Sequence, residues 1–249
     1  MPAHTDNSRI LQVRIKEDFH KYCGRLARTV GHQNISENGQ GFVGYPLNVF
    51  PVGLELNFDY GSKRGVIVIA GRNGSGKTTF LQKLAVQLNY ADDFSKIKDL
   101  EVPDYFDIVY SGEKPYLGQI TSLYQQNSLS TIPDSFFPEK DEIQREILSL
   151  SAGQFARRNI DDCLYDFKKD IPNGWVLYLD QPENNLDMLA KREINRRLYD
   201  FADETGMQIF IATNDVAFIT PERGIVLNLF EEKAFTQPSE EFNLEGYLE

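Results

Sequence analysis

Cysteine is nearly absent. Cys23 and Cys163 are the only two in 249 residues, far apart and in no metal or redox spacing, which excludes a disulfide framework or a thiolate metal site and fits two free thiols in a reducing compartment. Histidine is equally scarce, and the spacing of His4, His20 and His32 with Cys23 matches no metal site, so these read as surface residues. Long apolar runs are missing too: the longest, Val66 to Ala70 and Trp175 to Leu179, are strand-sized and far short of a membrane span. The opening MPAHTDNSRI carries no apolar signal region, so the expected location is the cytoplasm. Positive charge is the minority sign, 26 Lys and Arg against 37 Asp and Glu for a net −11. That balance argues against coating nucleic acid or a membrane by general attraction. The deficit is uneven. Arg9, Arg14, Lys16, Lys21, Arg25 and Arg28 face only Glu17 and Asp18 over residues 9–28, whereas from Glu231 onward Lys233 is the lone base. A solvated helix face accounts for the basic segment; a phosphate-backbone or partner contact is the alternative.

What is present is an ordinary globular composition, 41% hydrophobic and 25% charged, without repeats or low-complexity tracts. Ile10 to Ile15 and Leu54 to Phe58 alternate as strands do. Gly65 to Ala70 is a β-branched run suited to a central parallel strand buried on both faces. A helix follows, with Phe80, Leu81, Leu84, Ala85 and Leu88 on one face. FDIVYSGEKPYLGQITSLYQ reads as a hairpin turning around Gly112 to Pro115. Helices are expected over Asp134 to Ser149 (Ile143, Ile147 and Leu148 inward), after Ser151 (Phe155, Ile160, Cys163, Leu164 and Phe167 inward), and from Leu186 to Phe201. Strands are expected at Trp175 to Leu179, Met207 to Ala212 and Ile225 to Leu229. This alternation predicts an α/β protein with a largely parallel sheet, organised as one domain over residues 1–249.

GRNGSGKTT, Gly71 to Thr79, satisfies G-x-x-x-x-G-K-[ST] in full between a predicted strand and helix. Gly71, Gly74 and Gly76 let the backbone wrap close to phosphates. N–H groups of Asn73, Ser75 and the residues through Thr79 then form an anion cradle at a helix start. Lys77 is placed to reach the β- and γ-phosphates of ATP, and Thr78 to ligate Mg²⁺.

LSAGQ, Leu150 to Gln154, lies after this loop and before the apolar strand VLYLD, Val176 to Asp180. In that order the chain resembles ATP-binding-cassette (ABC) ATPases over roughly Val66 to Phe218. The resemblance implies a P-loop NTPase fold, with one lobe at about residues 1–126 and 171–249 and a reduced helical signature lobe at about 127–170. It also implies that Ser151, Gly153 and Gln154 bind the γ-phosphate held by a second copy, so that ATP closes a head-to-tail homodimer. A hydroxyl, a glycine that permits close approach and helix-start N–H groups suit that task. Asp180 at the strand's end is the expected Mg²⁺ ligand. Asn184, Asn185, Leu186 and Asp187 correspond to the D-loop, which in the family crosses the dimer interface. Gln125 or Gln126, after Tyr124, supplies the Q-loop contact to Mg²⁺ and the attacking water, with Gln119 a poorer candidate. An aromatic residue upstream of the P-loop often stacks on adenine in this family; Tyr45 and Phe50 are candidates, though core packing is the simpler role for each, as it is for Trp175.

Two positions depart from the family together. Gln181 stands where the family has the glutamate that polarises water, and Asn214 where it has the switch histidine. The paired departure reads as natural divergence rather than a single trapping substitution. A glutamine can orient a water but cannot take its proton, so slow turnover is expected. Glu183 is the nearest spare carboxylate, with a solvated turn residue as its plain alternative. DQPE-x-NLD resembles Walker B regions of prokaryotic AAA/ABC-like ATPases linked to phage defence. The short Asn127 to Ser149 interval leaves no room for a coiled coil, and the expected hairpin resembles the antiparallel layer of SMC/RecF-type proteins. Together these imply a soluble switch acting on an effector or nucleic-acid-processing partner, with a transporter nucleotide-binding subunit as the alternative.

Overall fold

The computed structural model describes residues 8–20, 49–61, 65–89, 104–119, 154, 157–158, 160–162, 164–165, 174–184, 186–220 and 223–243. Nine strands are defined among them: β1 Arg9–Ile15, β2 Glu55–Asn57, β3 Val66–Ala70, β4 Phe106–Ser111, β5 Tyr116–Gln119, β6 Trp175–Asp180, β7 Ile209–Thr213, β8 Gly224–Asn228 and β9 Phe235–Pro238. Two α-helices, α1 Lys77–Asn89 and α2 Met188–Thr205, follow β3 and β6. The main sheet runs β5-β6-β7-β3-β8-β9, parallel from β5 to β8 and closed by antiparallel β9. A second sheet, β2-β1-β4, is antiparallel throughout.

The predicted burial of β3 on both faces is what the structure shows. Ile67 and Ile69 face a cluster built from α1 and the antiparallel sheet, including Phe19, Leu56, Phe80, Leu84 and Phe106. Val66, Val68 and Ala70 face the opposite cluster with Ile194, Leu198 and Tyr199 of α2 and with Ile160 and Leu164. Alternate side chains of one strand thus serve two cores, which is why its sequence is unbroken in apolar residues. The apolar face predicted for α1 is buried at every position named. Helical residues at 154, 157–158, 160–162 and 164–165 place Ile160 and Leu164 inward as expected. Asp134 to Ser149, Phe155, Cys163 and Phe167 lie outside the described residues. Asp187 caps α2 by accepting from the Ala190 N–H at 2.8 Å, and Gly206, at φ 72°, ends it in the left-handed conformation.

The hairpin expected around Gly112 to Pro115 does not form. β4 pairs antiparallel with β1, from Phe106 opposite Ile15 to Ser111 opposite Arg9, while β5 pairs parallel with β6, Tyr116 opposite Trp175. Gly112, at φ 71°, carries the chain from one sheet to the other. Side-chain amides bond to strand backbone at three positions. Gln87 brackets Phe106, donating to its carbonyl at 2.6 Å and accepting its N–H at 2.9 Å. Asn89 does the same for Leu117 (2.8 Å each way), and Gln208 for Ile10 at 2.8 and 2.9 Å. Each amide mimics a neighbouring strand, so strand backbone is satisfied without β4 meeting β5. β9 is a further difference, since no element is predicted from the acidic tail. Phe235 to Pro238 nonetheless adds to β8, Asn228 opposite Phe235.

The basic segment is partly neutralised within the fold. Lys16 pairs with Asp104 and, at 3.2 Å, Asp107, and Arg14 lies 4.0 Å from Glu55. Lys21, Arg25 and Arg28 lie outside the described residues.

Lys83 of α1 is half-buried, with its ammonium 4.6 and 4.7 Å from the ring centres of Phe19 and Tyr105 and donating to the Phe19 carbonyl. Burial pulls its pKa from 10.5 down to about 8. The folded chain therefore binds fewer protons than the unfolded chain between those values, and stability should rise with pH across that window. Relative to Lys83→Met, the wild-type melting temperature should climb between pH 8 and 10.5. Parallel melting curves for the two proteins would contradict the assignment.

Candidate nucleotide-binding site

The C-terminal edge of the parallel sheet gathers the predicted motifs, because β3, β6 and β7 end level: Ala70 pairs with Thr213, and Asp180 with Ala212. Open α/β sheets place ligands at this edge. From Ala70 the chain turns through Gly71 to Gly76 and enters α1. Gly74 and Gly76 adopt φ of 81° and 97°, where a Cβ would be strained. Gly71 is required for space, since a Cβ there would stand 2.6 Å from Ser75 Oγ and 2.8 Å from Leu229 Cβ. Ser75 N–H donates to Arg72 O at 3.1 Å, and Phe80 N–H to Gly76 O at 2.8 Å as the first helical bond. Ser75 Oγ is buried with no hydrogen-bond partner.

Lys77 is only 4% exposed. Its ammonium donates to the carbonyls of Gly71 at 2.7 Å and Arg72 at 2.8 Å, which closes the loop on itself. Burial lowers its pKa, against the opposing pull of the Glu183 and Asp180 carboxylates. The lysine is thus a buried cation held by its own loop and under the charge of two acids. Thr78 Oγ1 donates to Asp180 Oδ1 at 3.0 Å. A hydroxyl and a carboxylate in contact are the hard oxygen donors that Mg²⁺ takes from protein, with phosphate and water completing its octahedron. Among the described residues there is no group of three or more His, Cys, Asp or Glu able to hold a metal. His20 is exposed, with Nε2 3.0 Å from Phe50 O.

Gln181 follows Asp180 at φ 51°, the one non-glycine residue with positive φ among those described. Its N–H donates to Ala212 O at 2.7 Å, and its side-chain oxygen accepts from Asn184 Nδ2 at 3.2 Å. A left-handed glutamine costs roughly 1–2 kcal/mol. Such strain persists where surrounding structure enforces it, and it is common at functional turns.

Glu183 is not a solvated turn residue. It is 8% exposed. Oε1 accepts the N–H of Asn214 at 2.8 Å, whereas Oε2 is buried with no hydrogen-bond partner. The Asn214 side chain is exposed at the switch position. Thr213 Oγ1 accepts from Asp215 N–H at 2.9 Å, and Asp215 caps the following turn through Ala217 N–H at 2.9 Å. Lys191 of α2 donates to Asp215 Oδ2 at 2.7 Å. Burial works to raise the Asp215 pKa, but Lys191 and the Ala217 N–H outweigh it and hold the carboxyl below its ordinary value. Sequence reasoning passed over this brace between α2 and the turn after β7. An aspartate directly after the switch position was the available signal.

The structure therefore brings together Gly71, Asn73, Gly74, Ser75, Gly76, Lys77, Thr78 and Thr79 as one loop and helix start, with Asp180, Gln181, Glu183 and Asn214 at the same sheet edge. Gln154 is helical and exposed. Ser151, Gly153, Asn185, Tyr45, Gln125 and Gln126 lie outside the described residues, and Gln119 ends β5 opposite Tyr178. Phe50 is fully buried and stacked on Phe80 at 5.4 Å, a core residue rather than an adenine platform. Trp175 packs on Tyr116 at 4.5 Å, as expected of a packing residue.

No protein-family model matches the chain. Sequence likeness instead leads to ATP-binding proteins of the ABC class. An ABC transporter ATP-binding protein of Methanocaldococcus jannaschii is 30% identical over 162 residues, covering 63% of this chain and 26% of that protein. An energy-coupling factor transporter ATP-binding protein of Clostridium perfringens is 27% identical over 199 residues, covering 66% and 69%. The chain thus spans about a quarter of the first relative and about two thirds of the second. Among solved structures, a component of an ABC transporter complex of Clostridium perfringens aligns at 20% identity, covering 97% of this chain and 92% of that one at a TM-score of 0.49. An ATP-binding cassette bound to ADP and phosphate aligns at 16% identity, 77% and 91% coverage and a TM-score of 0.44. Among the described residues no helix is long and apolar enough to cross a membrane.

Proposed function

We propose that this chain is an ABC-type ATPase module that binds Mg²⁺–ATP, closes into an ATP-sandwich homodimer and hydrolyses slowly, so that the closed dimer is a lasting signal to a partner. The observation that carries the reading is the contact set of Lys77, Thr78 and Asp180 at the sheet edge. Lys77 leaves the Gly71 and Arg72 carbonyls for the β- and γ-phosphates, a charged acceptor in place of a neutral one. Thr78 Oγ1 and Asp180 Oδ1 would hold Mg²⁺, which when bound neutralises charge building on the phosphates. Loop N–H groups from Asn73 to Thr79 and the start of α1 cradle the phosphate oxygens. Gln125 would complete the metal contact. Ser151, Gly153 and Gln154 would grip the γ-phosphate of the opposite copy.

Gln181 can orient water but not deprotonate it, and exposed Asn214 supplies an amide where a histidine would serve. Both favour a switch over a rapid motor. A protein effector or nucleic-acid-processing protein is the proposed partner, and a part in phage defence is the use that DQPE-x-NLD suggests. The hairpin that favoured an SMC/RecF-like branch is not formed, and the short interval before the signature speaks only for a coil-less module with a reduced second lobe. The second reading, a transporter nucleotide-binding subunit, is favoured by the transporter names of the sequence relatives. Co-purification with an integral membrane protein would decide for it.

Sedimentation velocity tests the dimer. ATP with Mg²⁺ should shift wild type from monomer to dimer mass, and Ser151→Glu should abolish that shift while monomer nucleotide binding is retained. An unchanged mass with ATP, and no partner that supplies the second half-site, would overturn the homodimer.

A further inference from the structure

Two buried polar atoms without partners belong to segments at this sheet edge, Ser75 Oγ in the loop after β3 and Glu183 Oε2 in the turn after β6. A carboxylate oxygen buried without a donor is expensive, and a water or substrate hydrogen commonly satisfies such an atom. Glu183 is more than nine-tenths buried, and its other oxygen is fixed by the Asn214 N–H at 2.8 Å. Its charge is felt by the Lys77 ammonium, the group set to hold the γ-phosphate. Gln181 differs on each count: an amide, only partly buried, with its oxygen engaged by Asn184 at 3.2 Å. We infer that Glu183, not the residue beside Asp180, is the general base of the residual hydrolysis, with Oε2 receiving the proton of the attacking water.

This rests on the ATP-binding reading above. The water oxygen bonds to the γ-phosphorus while the bond from that phosphorus to the β–γ bridging oxygen breaks, and its electron pair leaves on ADP. The water proton passes to Glu183 Oε2 and from there to the released phosphate. The bond from Asn214 N–H to Oε1 gives this carboxylate its orientation, so the switch strand sets the position of the base directly.

Glu183→Gln is the discriminating variant, because an amide oxygen can still accept the Asn214 N–H but cannot take a proton. In single-turnover hydrolysis it should lose on the order of 10² of the residual rate, the lower end of a general-base contribution. ATP affinity by calorimetry should equal or exceed the wild-type value, since one acid facing the triphosphate is neutralised, and the ATP-dependent dimer mass should be retained. Gln181→Glu added to Glu183→Gln should restore the rate to within a few-fold of Gln181→Glu alone. Formate should partly rescue Glu183→Ala, which keeps the test open if the amide variant folds poorly. A wild-type rate in Glu183→Gln overturns the inference. So does a loss that neither the second carboxylate nor formate recovers, since Glu183 would then only brace Asn214. Failure of wild type to bind ATP would instead sink the nucleotide reading itself.

Discussion

Replacing Lys77 with alanine is expected to remove ATP binding while the fold survives. The ammonium is buried, which lowers its pKa, and it donates to two carbonyls of its own loop. ATP binding exchanges those carbonyls for phosphate oxygens. Hydrogen bonds to charged groups contribute roughly 1.5–3 kcal/mol each, so losing two should weaken ATP by about 10²–10⁴ in Kd. Electrostatics add to the loss, because Asp180 and Glu183 would face the triphosphate without the cation that offsets them. Lys77→Arg should not rescue, since a planar guanidinium needs room that a residue 4% exposed does not leave. Calorimetry with Mg²⁺–ATP on wild type and both variants reads this directly, with melting temperatures as the control for folding. Unchanged affinity in Lys77→Ala would mean that the loop does not cradle phosphate.

The parts of this site legible in the sequence are those written in local pattern. GRNGSGKTT declares itself through spacing, and the structure repeats the reason at Gly71, Gly74 and Gly76. β3 and β6 declare themselves because a strand with both faces buried has few polar residues to spare. The hairpin failed because strand pairing is not local. Phe106 to Ser111 and Tyr116 to Gln119 are adjacent in sequence, but β1 and β6 are their partners, and bracketing amides such as Gln87, Asn89 and Gln208 carry no pattern that announces such a bond. β9 was hidden by its acidic flank, which reads as solvated although Phe235 to Pro238 completes a sheet edge. Glu183 shows the same limit at the scale of one residue. A carboxylate in a Pro–Asn turn looks exposed, and only the return of β7 beside β6, which delivers the Asn214 N–H to it, makes it a buried acid.

Gln181→Glu is the substitution with the largest expected gain in rate. A positioned carboxylate beside Asp180 supplies the general base that the amide cannot be, a contribution of about 10²–10⁴ in rate or roughly 3 to 5 kcal/mol of barrier. Because Glu183 already sustains the residual reaction in the mechanism inferred above, the increase should fall near the lower end. The backbone should accept the change. Glutamate at φ 51° bears the same left-handed cost as glutamine, and its carboxylate can keep the Asn184 Nδ2 contact at 3.2 Å. The charge balance does shift, since a third acid joins Asp180 and Glu183 against one buried lysine. ATP should therefore bind more weakly to the variant without Mg²⁺, and the deficit should close when the metal is present. Asn214→His should add a smaller increment and only in the glutamate background, because that exposed side chain acts on a reaction the carboxylate has already made fast. Single-turnover hydrolysis gives the rate, and sedimentation after ATP is diluted away gives the lifetime of the closed dimer, which should shorten in proportion. If wild type already turns over briskly and Gln181→Glu alters neither rate nor lifetime, the amide is not what limits hydrolysis, and the protein works as a motor rather than as a held switch.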